Sequence, residues 1–429
     1  MTAVAIAIFV AAYALIATDK INRTTVALGG AALMLALQIV DTKDAFHSIE
    51  RGIDWEVIGL LLGMMIVVGV LKQTGIFEYL AVSAAKRARG RPFRVMVALI
   101  VLTAVASALL DNVTIVLLMA PVTVLICDRL GVPPVPYLIA QALASNIGGT
   151  ATLIGDPPNI IIASRSGLSY LDFLVHLAPF VVFLLVVFIG LARVMFRSAY
   201  RYDPERAAEI MRLDEKGIIE DKRLLIYSLA VTALATLAFA LHEVLHYSPA
   251  VIALLAGGVL LLLSRRRPEQ ILREVEWETL AFFAGLFIMV GGLAKVGTIG
   301  DLADAAATAM GDSALVGSML LIWVSGAMSA VVDNIPYVAT MAPVVGSLTQ
   351  GLPADQPATV LWWALALGAD LGGNATAVGA SANVVILGLA KRSGHPISFW
   401  EFTKYGLIVA VITLLLSMPY LWLRYFAFA

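Results

Sequence analysis

A stretch beginning at Trp55, WEVIGLLLGMMIVVGVLKQTGIFEYLA, returns 222 residues later at Trp277 as WETLAFFAGLFIMVGGLAKVGTIGDLA. At the same displacement SALLDNVTIVLLMAPV (107–122) meets SAVVDNIPYVATMAPV (329–344). Two residues further on, NIGGTATLIGDPPN (146–159) meets DLGGNATAVGASAN (370–383). Three blocks in one order, nearly without gaps, mark a duplication. The fold must therefore be built twice from one unit.

That unit is made for lipid. The chain is 60% hydrophobic and 14% charged, against about 25% charged in a soluble domain. Apolar segments fall at 2–18, 24–40, 55–72, 95–127, 135–164, 170–196, 224–243, 248–264, 278–294, 313–349, 358–390 and 404–427. Runs of this length spell a polytopic all-α membrane protein. The opening MTAVAIAIFVAAYALIATDK has no basic region before its apolar core, so it reads as a first span and not a cleaved signal. A net charge of −1 gives no basic footprint for nucleic acid. The single cysteine, Cys127, excludes an internal disulfide and a thiolate metal cluster. The longest polar stretch, 198–223, is expected to be a partly helical cytoplasmic linker between an N-terminal half, 1–197, and a C-terminal half, 224–429.

Lys and Arg set the orientation. They crowd into 85–94, the linker and 265–273, which places those loops in the cytoplasm. The pattern holds only if 95–127 and 313–349 each enter and leave on one side. Both are too short for two full spans and a turn, and both break at an Asp-Asn pair. They are expected to be re-entrant hairpins with Asp-Asn at the tip. Five crossings then separate 55–72 from its copy, an odd number, so the repeats are inverted. The expectation is about ten transmembrane helices, two hairpins opening from opposite sides, and tips that converge near the midplane.

Between the apolar runs lie the two GG blocks, with glycines, prolines and carboxylates at membrane depth. Irregular backbone there must be buried in protein or line a wet cavity. Discontinuous helices related by an inverted repeat are how secondary transporters hold substrate and coupling ion. The residues expected at such a site are Asp111, Asn112 and Thr114 at the first tip, then Asn146, Gly148, Gly149, Thr150, Thr152, Asp156 and Asn159 in the first broken stretch. Their counterparts are Asp333 and Asn334, then Asp370, Gly372, Gly373, Asn374, Thr376, Ser381 and Asn383. Each intramembrane carboxylate costs on the order of 2.5 kcal/mol on insertion scales and is a functional candidate. No Lys or Arg lies in these blocks, so the site suits H⁺, Na⁺ or a neutral polyhydroxyl solute and repels a dianion. Asp111 and Asp333 are the expected coupling groups, and no resident cofactor is called for.

Two other classes compete. His242-Glu243-Val244-Leu245-His246 spells the zinc hydrolase motif, in a predicted external turn with no third ligand in view. A passive channel also uses inverted discontinuous helices, but two hairpins closing from opposite sides favour alternating access.

DN-x-T-I-V-x-L-x-x-x-P (111–121) followed by NIGGTATLIGDPPN resembles the ion transporter superfamily over essentially the whole chain. That superfamily holds arsenite efflux permeases, the P protein, sodium/proton antiporters and divalent-anion/sodium symporters. In the symporters the tips carry Ser-Asn-Thr; here they read Asp111-Asn112-Val113 and Asp333-Asn334-Ile335, which argues against dicarboxylates. Chain length is closer to the bacterial arsenite permeases, while the P-protein branch shares the DN and GDPPN signatures. The resemblance implies proton-coupled extrusion of arsenite or antimonite across a bacterial inner membrane, with sodium/proton exchange as the alternative. It leaves open a soluble arsenite-stimulated ATPase and a second copy of the chain as partners.

Overall fold

The computed structural model describes residues 1–18, 21–48, 51–212, 217–219 and 221–427. Among them the architecture is helical throughout. The first half comprises α1 (Thr2–Thr18), α2 (Arg23–Ala36), α3 (Trp55–Lys72), α4 (Ile76–Arg87), α5 (Pro92–Leu109), α6 (Asn112–Leu130), α7 (Pro134–Gly149), α8 (Pro157–Ser166) and α9 (Ala178–Met195). The second repeats it in order as α10 (Lys222–Ala240), α11 (Pro249–Ser264), α12 (Trp277–Lys295), α13 (Thr298–Met310), α14 (Ala314–Val331), α15 (Asn334–Gly351), α16 (Val360–Gly372), α17 (Ser381–Arg392) and α18 (Phe399–Tyr425). Each of these nine helices has its counterpart nine labels later, with short helices at Thr42–His47, Tyr170–His176, His242–Leu245 and Pro268–Leu272 between them. In the 198–223 linker the helix Pro204–Met211 forms as expected; residues 213–216 and 220 of that reading lie outside the described residues.

The duplication is visible in the packing. α5 lies along α7 as α14 lies along α16, and α4 supports α6 as α13 supports α15. Two relations cross between halves: α2 packs on α12 while α3 packs on α11, and α6 packs on α17 while α15 packs on α8. Small residues permit the closest of these approaches. A Cβ on Gly63 would lie 2.3 Å from the Ala253 backbone, and one on the equivalent Gly285 would lie 2.7 Å from that of Ala27. The halves are therefore interlocked and do not sit side by side as separate bodies.

The hairpin arms are longer than expected. α5 and α6 have 18 and 19 residues, α14 and α15 have 18 each, so every arm reaches about 27 Å. Eight described helices are long and apolar enough to cross a bilayer, and α5, α6 and α14 are among them. Length alone does not separate an arm from a span. What separates them is the tip: Leu110-Asp111 and Val332-Asp333 are extended, and both tips end inside the protein against one another's broken helices. Trp55 and Trp277 begin α3 and α12, are exposed, and donate to the carbonyls of Phe46 and Leu272, as interfacial anchors do.

Cys127 is fully buried on α6. A membrane-permeant maleimide is expected to leave it unmodified in folded protein and to label it once the chain is denatured; labelling at native rates would contradict this packing.

Candidate functional site

Each broken helix stops for a local reason. α7 ends at Gly149, Thr150–Asp156 is irregular, and Pro157-Pro158 opens α8, where missing N–H groups cost nothing. In the copy α16 gives way at Gly372 to a short 3₁₀ turn, Gly373–Ala375, before α17 starts at Ser381. One asparagine staples each gap. Asn159 Nδ2 donates to the carbonyls of Gly149 (3.4 Å) and Thr152 (3.0 Å). Asn383 Nδ2 donates to those of Gly373 (2.8 Å) and Thr376 (2.9 Å). Thr152 and Thr376 hydroxyls reach the hairpin arms, donating to Ala108 O and Ala330 O at 2.5 and 2.6 Å.

At the centre the two tips meet. Asp156 starts α8 without capping it; its carboxylate accepts from Asn112 Nδ2 at 2.8 Å and from Asn334 Nδ2 at 3.3 Å. Both hairpins thus close on one buried carboxylate. Asn112 also donates to Asn146 Oδ1 (3.1 Å), and Asn146 Nδ2 donates across the interface to Asn374 Oδ1 (3.0 Å) and Asn383 Oδ1 (3.1 Å). Asp370 occupies the position equivalent to Asn146 and lies against Thr150 and Asn159.

That substitution changes the chemistry of the contact. Asn146 has an N–H to give to Asn383 Oδ1. Asp370 lies against Asn159, whose amide nitrogen already donates to two carbonyls. Neither Asp370 oxygen, nor Asn159 Oδ1, nor Asn112 Oδ1 has a hydrogen-bond partner among the described residues. These four unpartnered acceptors, with one unpartnered donor at Asn374 Nδ2, suit a proton, a cation or a solute rich in O–H groups.

The sequence expectations divide here. Asn112, Asn146, Asp156, Asn159, Asn334, Asp370, Asn374 and Asn383 converge on the buried cluster, with Thr150 beside Asp370. Asp111 and Asp333, expected to be the coupling groups, cap α6 and α15 by accepting from Thr114 N (2.9 Å) and Ile335 N (3.1 Å); their neighbouring asparagines turn inward instead. Thr114 stays in the capped first turn, half-buried. Gly148, Gly149, Gly372 and Gly373 serve close packing. A Cβ on Gly148 would lie 2.3 Å from Ala104 O and one on Gly372 2.4 Å from Gly326 Cα, while Gly149 and Gly373 press on Gly155 and Gly379.

Sequence reasoning missed Arg23. It lies outside the repeated blocks, yet its Nη1 is 3.4 Å from Asp333 Oδ2, so the acids are not all without a basic partner. It borders a cavity of about 260 Å³ with Asn22, Glu278, Asp333 and Ser381. A second cavity, of about 600 Å³, approaches the other broken helix at Leu153 and Ile160, lined by His47, Asp54, Glu56 and His242. His242 Nδ1 donates to Phe239 O, and His246 adopts a left-handed turn conformation, so the two histidines do not share a helix face as a zinc motif requires.

Comparison with known proteins adds the family. Residues 13–368 match the family described as "Citrate transporter". The chain is 53% identical to a 46 kDa membrane protein of Mycobacterium leprae over 99% of both chains, and 53% identical to an uncharacterized transporter of Mycobacterium tuberculosis over 99% of both. It is 34% identical to the human P protein over 97% of its own length and 59% of that protein's. Its fold matches the YdaH transporter of Alcanivorax borkumensis, whose topology was described as unusual, with a TM-score of 0.62 and 16% identity over 93% and 96% of the two chains.

Proposed function

We propose, on the premise that the chain belongs to the citrate transporter family within the ion transporter superfamily, that it carries arsenite or antimonite out of the cell in exchange for protons. It is a membrane secondary transporter of small solutes and not an enzyme. The observation that carries the finer reading is the set of buried acceptor oxygens without a hydrogen-bond partner on Asp370, Asn159 and Asn112. Arsenic trihydroxide is neutral and presents three O–H donors, which such acceptors can hold without thiolates. Citrate presents carboxylates and one hydroxyl, so it would set like charge against Asp156 and Asp370. A proton on Asp370 would donate to Asn159 Oδ1 in the solute-free state and leave when the trihydroxide binds, which couples the two fluxes. Thr150, Asn146, Asn374 and Asn383 frame the solute, and Asp156 draws both tips onto it. The bacterial inner membrane is the site of action, with the linker in the cytoplasm; a soluble ATPase and a second copy of the chain remain candidate partners.

The same acceptors suit Na⁺, and sodium/proton exchange is the second reading. Everted vesicles with an inside-acid gradient separate the two. Protonophore-sensitive accumulation of arsenite, with no response of a pH-sensitive dye to added Na⁺, Li⁺ or K⁺, is the expected result. A dye response to Na⁺ or Li⁺ without arsenite uptake would replace this reading with cation exchange.

A further inference from the structure

The two hairpin tips are copies, but among the described residues only the second carries an Arg or Lys counter-ion. Arg23 opens α2, behind its N-cap Asn22. Its guanidinium sits over the Phe282 ring of α12, 5.3 Å from the centroid. From there Nη1 reaches Asp333 Oδ2 at 3.4 Å and Ser381 Oγ at 2.5 Å, and the Ser381 hydroxyl donates in turn to Asp333 Oδ2 at 2.5 Å. Asp333 caps the inner arm of the second hairpin and Ser381 is the first residue of the half-helix α17. One guanidinium thus joins the tip, the restart of the broken helix and the α2–α12 pair.

Among the described residues Asp111 forms no ion pair with Lys or Arg. Asp111 caps α6, and Pro157 stands where the copy has Ser381. Among the described residues lining the larger cavity on that side there is no Lys or Arg. We propose that Arg23 is a positioning residue: a tethered cation that clamps the second tip against α17 and leaves the first tip free to move. Arg suits this, because a planar fork held on an aromatic face can serve two oxygens at once. The clamp makes the cycle asymmetric. The second tip opens only when Asp333 exchanges its guanidinium for another cation or a proton, whereas Asp111 has no Lys or Arg partner among the described residues to give up. The argument rests on the geometry of the tips and on no choice of substrate.

Hydrogen exchange on the purified full chain in lipid nanodiscs tests it, with the two tips as each other's control. Arg23→Ala is expected to speed exchange about threefold or more in peptides over the second tip, with no change over the first tip or over α3 and α11. Asp333→Asn keeps a capping oxygen but removes the charge, and should reproduce the effect. Arg23→Lys should restore most of the protection. If Arg23→Ala yields too little folded protein, Asp333→Asn decides alone. Unchanged exchange at the second tip, or equal acceleration at both tips, would overturn the proposal.

Discussion

Asp370→Asn is expected to give a more stable protein that no longer transports. In the native chain the two oxygens of Asp370 and Oδ1 of Asn159 are buried acceptors without donors. A buried polar atom left unpaired costs about 1–3 kcal/mol. An asparagine at 370 makes the position chemically identical to Asn146, which already shows what an amide does there: it donates to the stapling asparagine of the opposite broken helix. The variant should therefore gain the hydrogen bond that Asn146 makes with Asn383, and unfold at higher temperature. At the same time it loses the only group at that position able to take and release a proton. Coupled uptake in vesicles should fall about 100-fold or more, the scale of a lost charge-assisted contact of roughly 3 kcal/mol. Thermal unfolding of purified protein and vesicle uptake together decide the matter. A variant that is less stable, or that transports at native rate, would show that Asp370 is satisfied in another way and that the coupling proton resides elsewhere.

The second large effect is steric. Gly148→Ala places a methyl group 2.3 Å from Ala104 O and 2.5 Å from its Cα, and backbone cannot yield as a side chain can. Inserted carbon in a packed core costs about 1–3 kcal/mol, and here it would pry α7 from α5 beside the break. A marked loss of folded protein is expected, read as a lower melting temperature and a smaller monodisperse fraction on gel filtration. Gly190→Ala is the control. It sits in α9 with nothing within 4 Å of the added carbon, so the methyl should be neutral or should stabilise by up to about 1 kcal/mol through helix propensity. Similar behaviour of the two variants would show that the α5–α7 contact is looser than the backbone distances imply.

Much of the architecture was legible because it is written twice. Repeated Asp-Asn pairs marked the tips, repeated GG blocks marked the breaks, and the distribution of Lys and Arg set the parity that makes one hairpin the inverse of the other. Two things were not legible. A dipeptide such as Asp111-Asn112 gives the depth of a tip but not which side chain turns inward. In an extended residue before a helix, Asp is bound to cap the first turn, which leaves the next residue, Asn, to face the interior. The second is Arg23. It pairs with a residue 310 positions away, from a helix whose counterpart α11 opens at Pro249 with no basic residue in its first turn. Only the crossing of α2 onto α12 brings it to Asp333, and pattern reading along one chain does not register such a crossing.

The interlocking of the halves has a consequence for charge. Two free copies of one unit, meeting head to tail about a twofold axis, must place the same residue at both equivalent positions. Their centre could hold none, two or four carboxylates from these two sites, and any two would stand in equivalent settings, since whatever stands at 156 would also stand at 380, and whatever stands at 370 would also stand at 146. Joined in one chain, the copies escape that rule. Asp156 is matched by Ala380 and Asp370 by Asn146, so the shared centre holds two carboxyl groups, one from each copy and in different settings. Covalent fusion thus permits two carboxyl groups of unlike setting, where free copies would hold a matched pair, at the one place where lipid makes every extra carboxylate expensive.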